Sequence, residues 1–267
     1  AASDVYKRQK LSVRRHEFRD IFKEKLDLHH IPALSNVLYS EDILFPIADF
    51  YLKKERWNEA IEVYEEMETI GALQERGAEY YQKLGYALQK SKKYAEAIGA
   101  YLKADTLKPD NIWNNRHLAI CYRLNRNYQA ALSYYKKVEE ATPEDTNVIF
   151  HIGSCLAELG QYEEAANYFF KLDFIESNCI KAWRGIGWCS FISRKYEQAM
   201  KYYEKIIEQK PLAIDYMNAG HVAWTMGDIQ KAAALYGKSI TANGNRERFL
   251  EMFRKDEEAL LKQGIQE

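Results

Sequence analysis

Ala78-Glu79-Tyr80-Tyr81-Gln82-Lys83-Leu84-Gly85-Tyr86-Ala87-Leu88 is the stretch that decides the fold, because its spacing returns. Tyr81, Leu84, Gly85 and Leu88 are followed by Ala97, Tyr101, Ala104 and Pro109. Thirty-four residues on stand Asn115, Leu118, Ala119 and Tyr122, then Ala131, Tyr135, Val138 and Pro143. A third frame gives Ile149, Ile152, Gly153 and Leu156, then Ala165, Phe169, Leu172 and Ser177, and a fourth gives Trp183, Ile186, Gly187 and Ser190, then Ala199, Tyr203, Ile206 and Pro211. Weaker frames flank these: Leu44, Ile47, Ala48, Tyr51, Ala60, Tyr64 and Met67 upstream, and Tyr216, Ala219, Gly220, Ala223, Ala232, Tyr236 and Ser239 downstream. A fixed period of this length marks stacked repeats, each too small to bury its own apolar face.

Within each frame the apolar residues fall three and four apart, the period of an amphipathic helix. Counting Ala78 as position 1, small residues at positions 8 and 20 let two helices approach, and aromatics at 11 and 24 are expected to fill the gap to the next unit. Proline at 32 ends the second helix, because the residue before a proline is pushed out of the helical region. This pattern resembles the tetratricopeptide repeat, whose helix-turn-helix carries W-x2-L-G-x2-Y, then A-x3-F, then P. The resemblance implies an all-α chain: an α-solenoid of about six stacked helix-turn-helix repeats with flanking helices. The frames run 41–77, 78–111, 112–145, 146–179, 180–212 and 213–245, within a repeat region of 41–244.

Outside the repeats, residues 10–40 form an N-terminal extension with an amphipathic helix from Leu11 to about Leu28, and Pro32 and Pro46 punctuate the segment beyond it. Residues 246–267 read as a C-terminal capping helix with Phe249, Leu250, Phe253, Leu260 and Leu261 inward. The opening residues 1–9, with no initiator Met, resemble a translated sequencing adapter and are set aside as a non-native leader. The chain is expected to be a truncated fragment of something longer.

Composition agrees with a folded helical protein. The 267 residues are 47% hydrophobic, 29% charged and 13% aromatic, with only 13 Gly and 5 Pro, which excludes disordered and collagen-like chains. The 38 basic and 39 acidic residues give a net charge of -1, removing the electrostatic reason to expect nucleic acid or an anionic membrane as partner. No apolar run approaches the ~18 residues of a spanning helix, and no signal h-region appears. A cytoplasmic location is expected.

Cys121, Cys155 and Cys189 stand 34 apart, all at position 10, where Ala87 and Val222 occur in other frames. The frame explains them as small buried hydrophobes, and reduced thiols fit a cytoplasmic setting. His117 and His151 share position 6, with Gly185 and Asn218 in the next frames, so no metal set is completed. There is no phosphate loop, serine elbow or His-Glu-x2-His. The reading is of a chain that is not an enzyme and takes no cofactor.

In the tetratricopeptide family, first helices line a concave surface with positions 2, 5, 9, 12 and 13 pointing into it. Carried over, these give a peptide-binding groove of Trp113, Arg116, Ile120, Arg123, Phe150, Lys181, Arg184, Trp188, Phe191, Met217, His221 and Trp224. Tyr86, Gln89 and Lys90 occupy the same positions one frame earlier. Aromatic anchors with nearby arginine are the material of interface hot spots. The competing expectation is that a terminal helix covers these aromatics and makes them core. Position 9 holds Asp49, Tyr86, Ile120, Ser154, Trp188 and His221, never Asn, which argues against the family's chaperone carboxylate clamp.

The resemblance therefore implies a protein-interaction scaffold whose ligand is a protein or peptide with acidic residues or aromatic and apolar anchors. The alternatives are a regulatory or sensing arm of a longer protein and, further off, an RNA-binding helical repeat.

Overall fold

The computed structural model describes residues 41–69 and 77–264. The expected helix over Leu11–Leu28, the 1–9 leader and the gap near Gly71 lie outside the described residues. Those that are described form α-helices and turns, with no strand among them. The helices are α1 Glu41–Lys53, α2 Trp57–Thr69, α3 Gly77–Lys90, α4 Tyr94–Leu107, α5 Ile112–Leu124, α6 Tyr128–Ala141, α7 Thr146–Glu158, α8 Tyr162–Ile175, α9 Ile180–Ile192, α10 Tyr196–Ile207, α11 Ala213–Thr225, α12 Ile229–Asn243 and α13 Arg246–Lys262. The result is an all-α helical-repeat solenoid in which α1, α3, α7, α9 and α11 each pair with the even helix that follows. Pro46 does not interrupt the chain as expected; it lies inside α1.

The turn inside every repeat is built the same way. Position 15 carries a left-handed residue in all six: Glu55, Lys92, Arg126, Gly160, Arg194 and Gly227, with φ between 56° and 83°. The next residue's N–H reaches back to position 11, as in Lys93 N to Leu88 O at 2.9 Å, Gln161 N to Leu156 O at 2.9 Å and Asp228 N to Ala223 O at 3.0 Å. This is the helix-ending arrangement that satisfies the last carbonyls and reverses the chain. Four of the six positions pay for it with a side chain where glycine is preferred. Asn111 and Asp145 open α5 and α7 by accepting hydrogen bonds from backbone N–H groups of the first turn.

The chain divides into two compact units, 1–134 and 135–267. In both, position 20 is sealed: Ala60, Ala97, Ala131, Ala165, Ala199 and Ala232 are 0% exposed. The aromatic at position 24 makes two contacts. It lies on the glycine at position 8 of its own repeat, so that a Cβ added at Gly85 would meet the Tyr101 ring at 2.8 Å, one at Gly153 the Phe169 ring at 2.9 Å, and one at Gly187 the Tyr203 ring at 2.9 Å. It also reaches position 6 of the following repeat: Tyr101 stacks on His117, Tyr135 on His151, and Phe169 fills the space over Gly185. The position-24 ring therefore closes its own helix pair as well as the gap to the next. His117 and His151 recur at 34 because each is the plate on which the preceding ring rests.

Candidate functional site

In the first unit, an open aromatic ladder runs across α2, α3 and α5. Trp57, at the start of α2, meets Tyr86 of α3 edge-on at 5.9 Å, Tyr86 meets Trp113 of α5 at 6.2 Å, and Trp113 lies against His117 at 4.0 Å. Tyr86 and Trp113 sit at positions 9 and 2 of adjacent repeats, which stacking brings together. Below them Gln89 Oε1 accepts from the Tyr101 hydroxyl at 3.0 Å and faces His117 Nδ1 at 2.8 Å. An amide oxygen only accepts, so His117 carries its proton on Nδ1. Burial, with the positive charge of Lys90 and Arg116 nearby, pushes the His117 pKa down to about 4, and the ring is neutral at pH 7.

Trp113 is held by these rings and yet 42% exposed. Lys90 Nζ lies 5.2 Å from the Tyr86 ring, and Arg116, Ile120 and Arg123 are half-buried on α5 beside it. The chemistry offered is a set of π-faces flanked by cations, suited to apolar or aromatic side chains and to carboxylates.

The second unit differs. Phe150 is half-buried with Lys181 Nζ 5.8 Å from its ring, and Lys181 also pairs with Glu176 at 3.3 Å. Arg184 is committed to an internal ion pair. Its Nε and Nη2 each donate at 2.7 Å to the carboxylate of Asp215, which is 1% exposed and also accepts from Leu212 N–H. Trp188 is half-buried against Phe191 at 5.8 Å. Phe191, Met217 and His221, expected on the groove surface, are instead core residues at 1%, 0% and 0% exposure.

The physical reason for His221 is α13, and Phe191 is packed behind it against Trp188, Tyr196 and His221. Phe253 packs against His221 at 5.1 Å, Phe249 and Phe253 flank Tyr236 at 5.7 and 5.9 Å, and Asp256 Oδ2 approaches His221 Nε2 at 3.6 Å. The end of the helix is tied down by Gln263, which donates to Ile192 O at 3.0 Å and accepts from the Tyr196 hydroxyl at 2.7 Å. Trp224 stays 39% exposed.

Cys121, Cys155, Cys179 and Cys189 are buried thiols, none of them in a disulfide. Burial pushes the Cys121 and Cys189 thiols up to about 12, which leaves little thiolate for nucleophilic or metal chemistry. No group of three or more His, Cys, Asp and Glu among the described residues is placed to hold a metal ion. No described helix is long and apolar enough to cross a membrane.

Sequence models described as tetratricopeptide repeat match residues 44–76, 78–111, 123–189, 180–211 and 216–246. No curated protein sequence matches the chain. Among solved structures, a tetratricopeptide repeat protein from Parabacteroides merdae is similar at 19% identity and a TM-score of 0.62, covering 84% of this chain and 98% of its own. YrrB, described as a TPR protein with an unusual peptide-binding site, is similar at 20% identity and a TM-score of 0.57, covering 74% and 97%. MamA of strain MSR-1 is similar at 25% identity and a TM-score of 0.55, covering 62% and 93%.

Proposed function

Because this chain belongs to the tetratricopeptide repeat family, we propose that it is a protein-interaction scaffold rather than an enzyme, and that it holds an acidic peptide segment against the first helices of residues 78–124. Trp113 and Tyr86 are the anchors, and the Lys90 ammonium over the Tyr86 ring favours carboxylates in the ligand. The observation that carries this reading is the 42% exposure of Trp113 on top of a ring stack that fixes its orientation. A large aromatic left open and already ordered loses little entropy on binding, which is what an interface anchor requires. The similarity to YrrB, a repeat protein with a peptide-binding site, supports the same class of ligand.

The test is selection of a displayed random-peptide library on the immobilised chain, with the Trp113→Ala variant as counter-surface. Peptides that carry an aromatic or aliphatic residue near Asp or Glu and are lost on Trp113→Ala are the expected result. Enriched peptides that bind both surfaces equally would overturn the assignment of the site.

A further inference from the structure

The helix α13 shows what the last repeat is shaped to hold. Toward that face it presents Phe249, Phe253, Asp256, Leu260 and Gln263, spaced four, three, four and three, while Glu251, Arg254, Lys255 and Glu258 face solvent. The two partners are unequal. On the receiving side His221 is 0% exposed, yet α13, seventeen residues long, buries only Phe249 and Leu260. At the centre of the contact, His221 Nε2 and Asp256 Oδ2 both lack a hydrogen-bond partner and stand 3.6 Å apart, too far to bond each other. The far end is secured by the two hydrogen bonds of Gln263 and an exposed one from Arg194 Nη2 to Lys262 O at 3.2 Å.

A seat that is thoroughly buried, under a helix that contributes few buried anchors and leaves a polar pair unmatched, fits an exchangeable occupant better than a fixed one.

We infer that His221 and Tyr236 form a helix-binding seat, with Phe191 stacked behind His221, closed in the free chain by α13 and opened to a partner's amphipathic helix of the same chemistry. That helix carries two aromatic residues one turn apart, an acid almost one turn further and an apolar residue after it. The acid is specified by what surrounds it: His221 Nδ1 and the Tyr236 hydroxyl are hydrogen-bonded at 2.9 Å, and Nε2 faces Asp256. A partner that places its carboxylate closer than 3.6 Å gains the hydrogen bond that α13 does not make. This site is separate from the Trp113 ladder, and Trp113→Ala should leave it intact.

The probe is a fluorescent peptide of residues 245–264 added to the full chain. Competition from the chain's own α13 predicts weak binding to the parent, because the open seat is a small fraction of molecules. Phe253→Ala with Leu260→Ala in the chain, which loosens α13, should strengthen peptide binding at least about tenfold. A peptide with both phenylalanines changed to Ala should not bind. A loosened chain of parental helicity that binds the peptide no more tightly than the parent would overturn the proposal. Should the loosened chain lose helicity, hydrogen exchange on the parent decides: excess peptide should accelerate exchange of α13 amides while α11 and α12 stay protected, and α13 amides indifferent to peptide would refute the exchange.

Discussion

Gly220 and Gly237 lie in the same helix pair, and the same substitution should have opposite effects at the two. A Cβ at Gly220 would stand 2.5 Å from Tyr236 Cε1, 2.7 Å from Cδ1 and 3.2 Å from Cζ. Ordinary contact would require the ring to retreat by about 1 Å, in a core whose density leaves no such space. The ring cannot simply turn, because its hydroxyl is bonded to His221 Nδ1 at 2.9 Å and Phe249 and Phe253 pack edge-on with it at 5.7 and 5.9 Å. Overpacking of this kind costs roughly 1–3 kcal/mol, against a gain of about 1 kcal/mol from replacing glycine in a helix interior. A 2.5 Å contact belongs in the upper half of that range, about 2–3 kcal/mol, so Gly220→Ala should destabilise by about 1–2 kcal/mol net. At Gly237 nothing lies within 4 Å of an added Cβ, so only the helix gain remains and Gly237→Ala should stabilise by roughly 0.5–1 kcal/mol. Urea titration followed by circular dichroism reads both as shifts of midpoint at unchanged slope. Gly220→Ala as stable as the parent would refute the ring-on-glycine interlock as the reason for the small residue at position 8.

Other consequences rest on particular contacts. Lys92→Gly and Arg126→Gly, at φ 62° and 59°, should raise the unfolding midpoint by the equivalent of about 0.5–1 kcal/mol each, whereas Gly160→Ala at φ 77° should lower it by a similar amount. Arg184→Ala leaves the Asp215 carboxylate buried with only the Leu212 N–H; calorimetry should register a loss of about 3 kcal/mol, at the low end for buried pairs because Arg184 is 33% exposed. Lys103→Ala removes an exposed partner of Glu68 and should cost under about 1 kcal/mol. His117 titrates near pH 6.5 when unfolded and about 4 when folded, so the unfolded chain takes up the extra proton between those values. Its contribution is intact above pH 6.5 and lost on acidification through that window. The parent should therefore lose more stability between pH 6.5 and 4 than His117→Gln does, and equal losses would show that the ring is not held neutral by burial.

Much of this molecule was legible from the period alone. Once Gly85, Ala119, Gly153 and Gly187 fall in one register, so do the helix pairs, the small residues at position 20 and the reason Cys121, Cys155 and Cys189 recur. The contact of the position-24 ring with the glycine of its own repeat was not legible, because a repeat shows which positions are large and small but not which helix a ring leans on. The left-handed position 15 was hidden for a related reason: Glu55, Lys92, Arg126 and Arg194 carry no glycine signal, and only Gly160 and Gly227 betray the turn. The site reading was weakest where the contact was most distant in sequence. Phe191, Met217 and His221 occupy positions that face outward in an uncovered repeat, and the apolar face of α13 was visible as Phe249, Phe253 and Leu260. Nothing in the spacing said which surface that face would meet. Arg184 was misplaced likewise, since its partner Asp215 sits one frame away at a position that carries no acid in the neighbouring repeats.

The five tryptophans, Trp57, Trp113, Trp183, Trp188 and Trp224, report on both units at once through their indole N–H signals. Titrating the 15N-labelled chain with a peptide taken from the library selection should shift the Trp113 indole, with Trp57 following through Tyr86, while Trp183, whose Nε1 donates to Asp173 at 2.6 Å, stays still. Shifts at Trp188 and Trp224 with Trp113 unmoved would contradict the placement of peptide binding on the ladder of the first unit.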